Sequence, residues 1–361
     1  MPTIKAAVCH EFGAPLSIDD VQLRAAGMGE IEVTLDAVAI CHSDITFMDG
    51  GWGGSLPAVY GHEAAGIVTG VGAGVVGLSE GDSVVVTLIR ACGNCPSCAG
   101  GIPTLCETPY DGDQGPLKTA DGGKLHQAMA CGAFAEKVVV DQRQVVKIAP
   151  DIPKDAAALL ACGVITGVGA VINAAGLRAG QDVVVIGAGG VGLNAIQGAR
   201  IAGARRIVAV DLSEEKLEIA KSFGATDGVL ATSDKPWRAA KHAMGRGADA
   251  VIVTVGAIPA YEQAPQYLAN GGQVIMVGMP HSGATATYEP VMMAAVGQGM
   301  KGSKMGDVVI QRDIPWMVDM YGQGRLQLDE LISGRWRLDQ INEAIADTKS
   351  GSAKRNVIMF S

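Results

Sequence analysis

The 361-residue sequence contains eight cysteines, and four of them crowd into one short segment. The segment reads CGNCPSCAGGIPTLC and contains Cys92, Cys95, Cys98 and Cys106. Disulfides, iron–sulfur clusters and tetrahedral zinc all use closely spaced cysteines. In ferredoxin-type motifs the last cysteine follows after three residues and precedes proline, whereas here it follows after seven and precedes glutamate. The spacing therefore favours structural zinc bound by four thiolates.

A second set of metal-binding residue types is scattered along the chain. Cys41 lies in ICHSD, His62 in YGHEAAG and Cys162 in ACGVITG. Two thiolates and one imidazole would leave a fourth zinc position open for water or substrate, as catalytic zinc sites do. Spacing alone does not establish such a site, because a buried cysteine is usually only a small apolar side chain.

The pattern GxGxxG occurs twice, and only the second copy has the flanking elements that a dinucleotide needs. Gly72, Gly74 and Gly77 precede another strand without an intervening helix, which predicts a simple turn. The second copy follows the strand VVVI and precedes the helical stretch LNAIQGARIAGA. The residues expected at the cofactor pyrophosphate are Gly187, Gly189, Gly190, Val191 and Gly192.

An acidic residue at the end of the next strand predicts which dinucleotide binds. Asp211 ends the strand RIVAV, nineteen residues after the last glycine of the fingerprint. Its carboxylate can accept hydrogen bonds from the adenosine ribose hydroxyls and would repel a 2′-phosphate, which favours NAD over NADP. Lys216 is a further candidate for the ribose, with an ordinary surface lysine as the alternative.

The composition of the chain limits the classes of partner that it is expected to bind and the compartment in which it is expected to lie. The formal net charge is −9 and the pI about 5.2, without an evident basic face, which argues against nucleic acid. No run approaches the roughly 20 apolar residues of a membrane span, so no membrane partner is expected. Residues 1–30 contain no continuous apolar stretch. We therefore expect a cytoplasmic, reducing location, where clustered cysteines more often bind metal than form disulfides.

The patterning of apolar residues changes near residue 155 and predicts an α/β protein of two domains. Short strands separated by glycine-rich turns are predicted before that point, at 31–39, 66–71, 83–88 and 135–140. Strands at 183–186, 207–210, 250–255 and 273–277 then alternate with helices at 193–202 and 214–223, and further helices are predicted at 314–321 and 338–348. Apolar strands alternating with helices predict a parallel sheet that is covered on both faces.

Five segments follow one another along the chain: CHSD, GHE, the four-cysteine segment, ACG and GAGGVG with Asp211. In this order they resemble the zinc-dependent alcohol dehydrogenases of the medium-chain dehydrogenase/reductase superfamily. The resemblance implies a GroES-like, β-rich catalytic domain over residues 1–162, completed by 305–361. It also implies a doubly wound, parallel-sheet Rossmann domain over 163–304 that binds NAD, with the active site in the cleft between the domains. The expected assembly is a homodimer or homotetramer.

The same resemblance assigns roles to residues around the second cysteine and histidine set. Cys41, His62 and Cys162 would bind a catalytic zinc, giving two zinc ions per chain, and the substrate would be a small alcohol or aldehyde. Further residues of the expected site are Glu63 as a transient zinc ligand, Asp44 as acceptor from the His62 ring, Ser43 as carrier of the substrate hydroxyl proton, and His42 and Arg355 at the cofactor pyrophosphate.

Two positions depart from the family pattern. Thr46 stands where many members have a histidine at the outer end of the proton relay, and a hydroxyl cannot store a proton as imidazole does. Leu88 stands where many members have an aromatic residue against the substrate, so we expect a wider pocket with Trp52 as its aromatic surface. An ordinary core position is the alternative for Trp52.

The leading prediction is a zinc enzyme that interconverts alcohols and aldehydes or ketones by hydride transfer to NAD. The segment 306–333 also resembles the branch that oxidises S-(hydroxymethyl) adducts of formaldehyde with small thiols, which is the first alternative. The second alternative is a non-enzymatic dinucleotide-binding redox sensor that uses Cys9 or Cys131. Such a binder would not need the zinc ligands together with Ser43.

Overall fold

The structure is a computed structural model that describes residues 1–360, and it divides into two compact units. The first unit comprises residues 1–162, 309–324 and from 328 onward, and the second comprises 163–308 and 325–327. Each unit has its own sheets and its own buried apolar core. Among residues 1–360, no helix combines the length and apolar character that crossing a bilayer would require.

The strands and helices have the following bounds. In chain order the strands are β1 Thr3–Cys9, β2 Ser17–Leu23, β3 Glu30–Ala39, β4 Ala58–Val59, β5 Glu63–Val71, β6 Ser83–Thr87, β7 Leu117–Thr119, β8 His126–Gln127, β9 Lys137–Asp141, β10 Val145–Lys147, β11 Asp182–Ile186, β12 Arg206–Asp211, β13 Asp227–Leu230, β14 Ala248–Val253, β15 Leu268–Met276, β16 Gly299–Gly302, β17 Ile332–Arg337 and β18 Arg355–Met359. The α-helices are α1 His42–Met48, α2 Pro96–Ala99, α3 Lys154–Leu159, α4 Gly163–Gly169, α5 Gly190–Ile201, α6 Glu214–Ser222, α7 Pro236–Met244, α8 Ile258–Tyr267, α9 Pro290–Ala295, α10 Ile310–Gly322 and α11 Ile341–Ser350.

Two β-sheets form the first unit, one in the order β7-β2-β1-β4-β8 and one in the order β10-β6-β5-β3-β18-β17, with β9 also paired to β3. Strand β3 shows why the sequence forms a sheet with one face in the core. Ile31, Val33 and Leu35 alternate with polar residues and are at most 2% exposed. Because successive side chains of a strand point to opposite faces, this alternation places the apolar residues together in the core.

The pairing of three strands brings distant parts of the first unit to one end of the larger sheet. Ala39, at the end of β3, pairs with Glu63 at the start of β5. On its other side, Ala39 pairs with Val357 of β18. The chain segments that follow β3, precede β5 and begin β18 therefore lie next to one another.

The second unit contains a six-stranded sheet in the order β13-β12-β11-β14-β15-β16, and all of its strand pairs are parallel. Val183, Val184 and Val185 of β11, one of the two central strands, are fully buried. This sheet and the β-rich first unit confirm the predicted fold class, an α/β protein with a β-rich domain and a parallel-sheet, Rossmann-type domain.

Two details of the glycine motifs bear on the predictions. The copy at Gly72, Gly74 and Gly77 lies between β5 and β6 without a helix, which confirms the predicted turn. In the second copy, helix α5 begins at Gly190 rather than at the predicted residue 193. Glycine has a low helix propensity, so the sequence predicts that the helix starts only after the last glycine. In the folded chain, tertiary packing allows the helix to start among the glycines.

Candidate metal and cofactor sites

The start of α1 is built around a buried carboxylate. Cys41 caps the helix in an extended conformation, and Asp44 lies in its first turn. Asp44 is fully buried and accepts hydrogen bonds from the backbone N–H of Cys41 at 3.1 Å and of Gly61 at 2.9 Å. A buried charge needs such partners. One carboxylate thus fixes two of the three segments that carry the expected zinc ligands.

His62 follows Gly61 directly and is also fully buried. Its Nδ1 lies 2.9 Å from the Asp44 carboxylate, while its Nε2 is buried with no hydrogen-bond partner in the described part of the chain. Burial alone would lower the pKa of His62, but Asp44 and Cys41 together outweigh burial and raise the pKa. A carboxylate on one ring nitrogen leaves the other nitrogen to face a metal, as in many zinc sites.

The remaining expected ligands lie at the same point. Cys162 follows helix α3, and one ligand atom from each of Cys41, His62, Glu63 and Cys162 lies within 4.8 Å of the others. The hydrogen bond between the two thiols lowers the pKa of Cys41 and raises that of Cys162. Two sulfurs and one unpartnered imidazole nitrogen in a buried site fit tetrahedral zinc with one open position.

Glu63 has a partner that its sequence neighbours do not reveal. Its carboxylate accepts a hydrogen bond from the guanidinium of Arg355, the first residue of β18, and both side chains are buried. Burial raises the pKa of Glu63 to about 7, with the Arg355 charge opposing that rise. The predicted contact of Arg355 with the cofactor stays a prediction. The ion pair with Glu63, 292 residues apart in sequence, carries no local sequence signal.

Asp44→Asn should weaken zinc binding at this site by about 10- to 100-fold, because a carboxylate behind a histidine ligand orients the ring and raises its basicity. Competition with a fluorescent zinc chelator would measure the dissociation constant. Asp19→Asn is the matched control, since Asp19 accepts from His10 Nε2 at 2.7 Å in an exposed pair. Equal zinc affinity in the two variants would contradict the assigned role of Asp44.

The cysteine lobe, which we define as residues 92–106, has the geometry of a closed metal site. The Sγ atoms of Cys92, Cys95, Cys98 and Cys106 lie within 4.8 Å of one another, and all four side chains are half-buried. Backbone N–H groups of the lobe donate to these sulfurs, including Cys95 N to Cys92 Sγ at 3.2 Å and Cys92 N to Cys106 Sγ at 3.3 Å. Four sulfurs with N–H donors around them fit structural zinc.

The other two cysteines do not have the environment of a redox sensor. Cys9 and Cys131 are fully buried, and burial raises the pKa of both thiols. Reactive sensor cysteines are exposed and have lowered pKa values, because the thiolate is the reactive form. These two thiols therefore give no support to the redox-sensor alternative.

The glycine fingerprint in the second unit joins β11 to α5. Gly187 has φ +98°, and a Cβ there would lie 2.5 Å from Val255. A Cβ at Gly192 would lie 1.8 Å from the carbonyl oxygen of Gly187, so any residue other than glycine would clash there. At Gly189 a Cβ would project into open space, with no atom within 4 Å. That space at the N-terminus of α5 fits an approaching pyrophosphate.

Asp211 ends β12 beside this turn. Its carboxylate accepts hydrogen bonds from the N–H groups of Ala188 at 2.7 Å and Ser213 at 3.1 Å. The carboxylate therefore also braces the glycine turn. Lys216 lies in the first turn of α6, where Ser213 caps the helix.

The remaining predicted site residues lie on or near α1 and β6. His42 is exposed and Ser43 half-buried in the first turn of α1, and the hydroxyl of Thr46 donates to the carbonyl oxygen of His42 at 2.9 Å. Trp52 packs edge-on against Phe47, with ring centroids 5.0 Å apart. Leu88 follows β6 and is half-buried. Contacts of these residues with cofactor or substrate stay predictions.

A GroES-like unit with a buried sulfur and imidazole site, joined in one chain to a Rossmann-type unit, defines an oxidoreductase class. Residues 27–151 match the family described as alcohol dehydrogenase GroES-like domain, and residues 190–323 match zinc-binding dehydrogenase. The NDMA-dependent alcohol dehydrogenase of Amycolatopsis methanolica is 35% identical to this chain over 99% of both sequences. The chain belongs to the zinc-type alcohol dehydrogenases of the medium-chain dehydrogenase/reductase superfamily.

Solved structures agree with this assignment and extend over the whole chain. An alcohol dehydrogenase zinc-binding domain protein from Burkholderia ambifaria is 34% identical, with a TM-score of 0.96 over 100% of this chain and 99% of that chain. Benzyl alcohol dehydrogenase from Acinetobacter calcoaceticus is 30% identical, with a TM-score of 0.93 over 100% of both chains. The predicted activity on alcohols and aldehydes or ketones is thereby confirmed at the level of the family.

Proposed function

We propose that this protein oxidises small alcohols with NAD as hydride acceptor and with two zinc ions per chain. The observation that carries the proposal is the buried imidazole of His62, whose Nδ1 contacts Asp44 while its Nε2 has no hydrogen-bond partner in residues 1–360. Zinc held by Cys41, His62 and Cys162 would polarise the substrate oxygen and lower the pKa of the alcohol. The lobe cysteines would hold the second, structural ion.

The side chains of the site have separate tasks in this proposal. Asp44 holds His62 in one tautomer, and Arg355 balances the charge of Glu63 beside the thiolates. Ser43 takes the hydroxyl proton of the substrate and passes it outward. The glycine turn and Asp211 hold NAD, and NAD accepts the hydride from the substrate carbon.

Primary aromatic alcohols are the substrate class that we propose. The solved relative named benzyl alcohol dehydrogenase supports it. Within the first unit, Trp52 and Phe47 supply aromatic surface on and after the helix that carries Ser43. Aromatic side chains favour edge-to-face and offset contacts with an aromatic ring, so they would select benzylic over short aliphatic alcohols.

One assay tests the proposal and the formaldehyde alternative together. Purified protein would be offered benzyl alcohol, ethanol, or formaldehyde with a small thiol, each with NAD, and zinc would be counted by elemental analysis. We expect the highest kcat/KM with benzyl alcohol and about two zinc ions per chain. Activity confined to the thiol adduct would support the alternative, and iron with visible absorbance would contradict the lobe zinc.

Asp211→Gly combined with Leu212→Arg should reverse the preference for NAD over NADP. Like-charge contact between Asp211 and a 2′-phosphate costs several kcal/mol, so we expect the ratio of kcat/KM values to shift at least about 100-fold. Leu212 is 73% exposed and follows Asp211 directly. Leu212→Arg alone is the control and should keep NAD preferred. A wild-type preference for NADP would contradict the role of Asp211.

A homodimer or homotetramer and a cytoplasmic location complete the proposal. Val291 and Met292 of α9 are 71% and 58% exposed, and β16 forms the edge of the parallel sheet. Exposed apolar residues near an open sheet edge favour association with a second chain. Sedimentation equilibrium would give the number of chains.

A further inference from the structure

An arginine of the first unit donates a hydrogen bond to the first residue of the cysteine lobe. The guanidinium of Arg143 donates from Nε and Nη2 to the two oxygens of Asp141, at 2.8 and 2.6 Å. Its third nitrogen, Nη1, donates to the backbone carbonyl oxygen of Cys92. All three guanidinium nitrogens thus donate a hydrogen bond, a planar arrangement that a lysine ammonium could not reproduce.

A second arginine links the same carboxylate to the segment that follows the lobe. Nη2 of Arg90 lies 3.7 Å from Asp141, and its guanidinium lies over the ring of Tyr110, 5.2 Å from the centroid. Arg90 precedes Cys92 by two residues, and Tyr110 follows the last lobe cysteine by four. Asp141 therefore pairs with two arginines near the start of the lobe, and one of them, Arg90, also contacts Tyr110 beyond its last cysteine.

The carboxylate at the centre of this arrangement is held firmly. Asp141 ends β9, and only 10% of its side chain is exposed. Its N–H donates to the side chain of Gln144, which is 1% exposed and in turn donates to the carbonyl oxygens of Thr87 and Ala130, both at 2.9 Å. The anchor is therefore part of the sheet framework.

We infer that Arg143, held by Asp141 and assisted by Arg90, is a positioning residue for the cysteine lobe and controls how fast its zinc is lost. The inference rests on the proposed zinc in the lobe. Zinc with four thiolates carries a net charge of −2, so a neighbouring guanidinium stabilises the loaded lobe. The hydrogen bond to the Cys92 carbonyl also fixes the backbone of the first ligand.

The rate of zinc loss from the lobe can be measured by alkylating the protein in the presence of a zinc chelator. Peptide mass spectrometry then gives the alkylation rate of each cysteine. Arg143→Met should speed alkylation of the four lobe cysteines by at least about tenfold, the effect expected from losing a charge-assisted hydrogen bond. Arg143→Lys should fall between this variant and the wild type. It keeps the charge without the fork.

Arg337→Met is the matched control. Arg337 makes the same type of pair with a residue two positions away, donating to Asp339 from Nε and Nη2 at 3.0 Å each. This pair belongs to β17 and the turn after it. The control variant should alkylate at the wild-type rate.

The non-lobe cysteines separate a local effect from general unfolding. Cys9 and Cys131 are buried outside both metal sites, so they react only when the core opens. We expect their rates, and those of Cys41 and Cys162, to be the same in Arg143→Met and in the wild type. Uniform acceleration of all eight cysteines, or equal lobe rates in Arg143→Met and Arg337→Met, would overturn the inference.

Zinc analysis of the wild type distinguishes failure of this inference from failure of the proposed function. Two zinc ions per chain with unchanged lobe rates in Arg143→Met would overturn the inference alone. One zinc ion per chain with lobe cysteines that alkylate at once would overturn the lobe zinc, and the inference with it.

Discussion

Replacing His62 with alanine should lower the zinc content by about one ion per chain and reduce alcohol oxidation at least about 10³-fold. The imidazole supplies one of three expected protein ligands, and Lewis-acid stabilisation at such a site is worth several kcal/mol. Loss of the imidazole also leaves the buried Asp44 with one partner fewer, which should cost about 1–3 kcal/mol of folding stability. Elemental analysis, initial rates and thermal unfolding would be measured on the same preparation.

His10→Ala provides the control for that measurement. His10 also pairs with an aspartate, Asp19, but its side chain is 55% exposed. We expect two zinc ions per chain and nearly unchanged rates. A His62→Ala protein that kept both metal ions and near-normal turnover would show that His62 is not a ligand.

Ser43→Ala should reduce turnover by about 10²- to 10⁴-fold while zinc content and NAD binding stay intact. General acid–base assistance in proton transfer is worth about that much, and the proton of the substrate must leave a buried site. Rates as a function of pH would be compared with those of Thr46→Ala, which removes a hydroxyl from the same short helix. Near-normal rates for Ser43→Ala at all pH values would exclude the relay.

The variants at Thr46 test where the proton path ends. The Thr46 hydroxyl donates to the carbonyl oxygen of His42, so its own proton is already engaged. Thr46→Ala should therefore be mild. Thr46→His should speed turnover below about pH 8 if proton removal limits the rate, because imidazole titrates near pH 6.5. A severe loss in Thr46→Ala would show that the threonine hydroxyl is needed in the path.

The parallel sheet of the second unit could be predicted from sequence because its central strands are continuous apolar runs. Strand β11 and helix α6 begin within one residue of their predicted starts. The sequence does not predict strand β16, because GMKG has two glycines and a lysine. Pairing with β15 makes it a strand, and that is a tertiary effect that local propensity does not contain.

The metal ligands could be named from short motifs, but their surroundings could not. The residues at Cys41, His62 and Cys162 are of types that bind zinc in many folds. The contacts of Arg355 with Glu63 and of Arg143 with Cys92 join residues 292 and 51 positions apart. Arginine is common on surfaces, so only the folded chain reveals which ones serve a buried or metal-binding group.

The pairing of β18 with β3 has a consequence for the order in which the protein matures. The second unit is encoded almost entirely between residues 163 and 308, so its sheet can form early during synthesis. The ion pair of Glu63 with Arg355 has to wait until residues 355–359 have been made. Until then Glu63 lacks its countercharge. The two thiols and the imidazole of the same site also lack strand β18 next to them. A ribosome-bound chain that stops before residue 355 would therefore contain every strand of the parallel sheet of the second unit, while the cluster of Cys41, His62 and Cys162 in the first unit would lack the Arg355 charge near it.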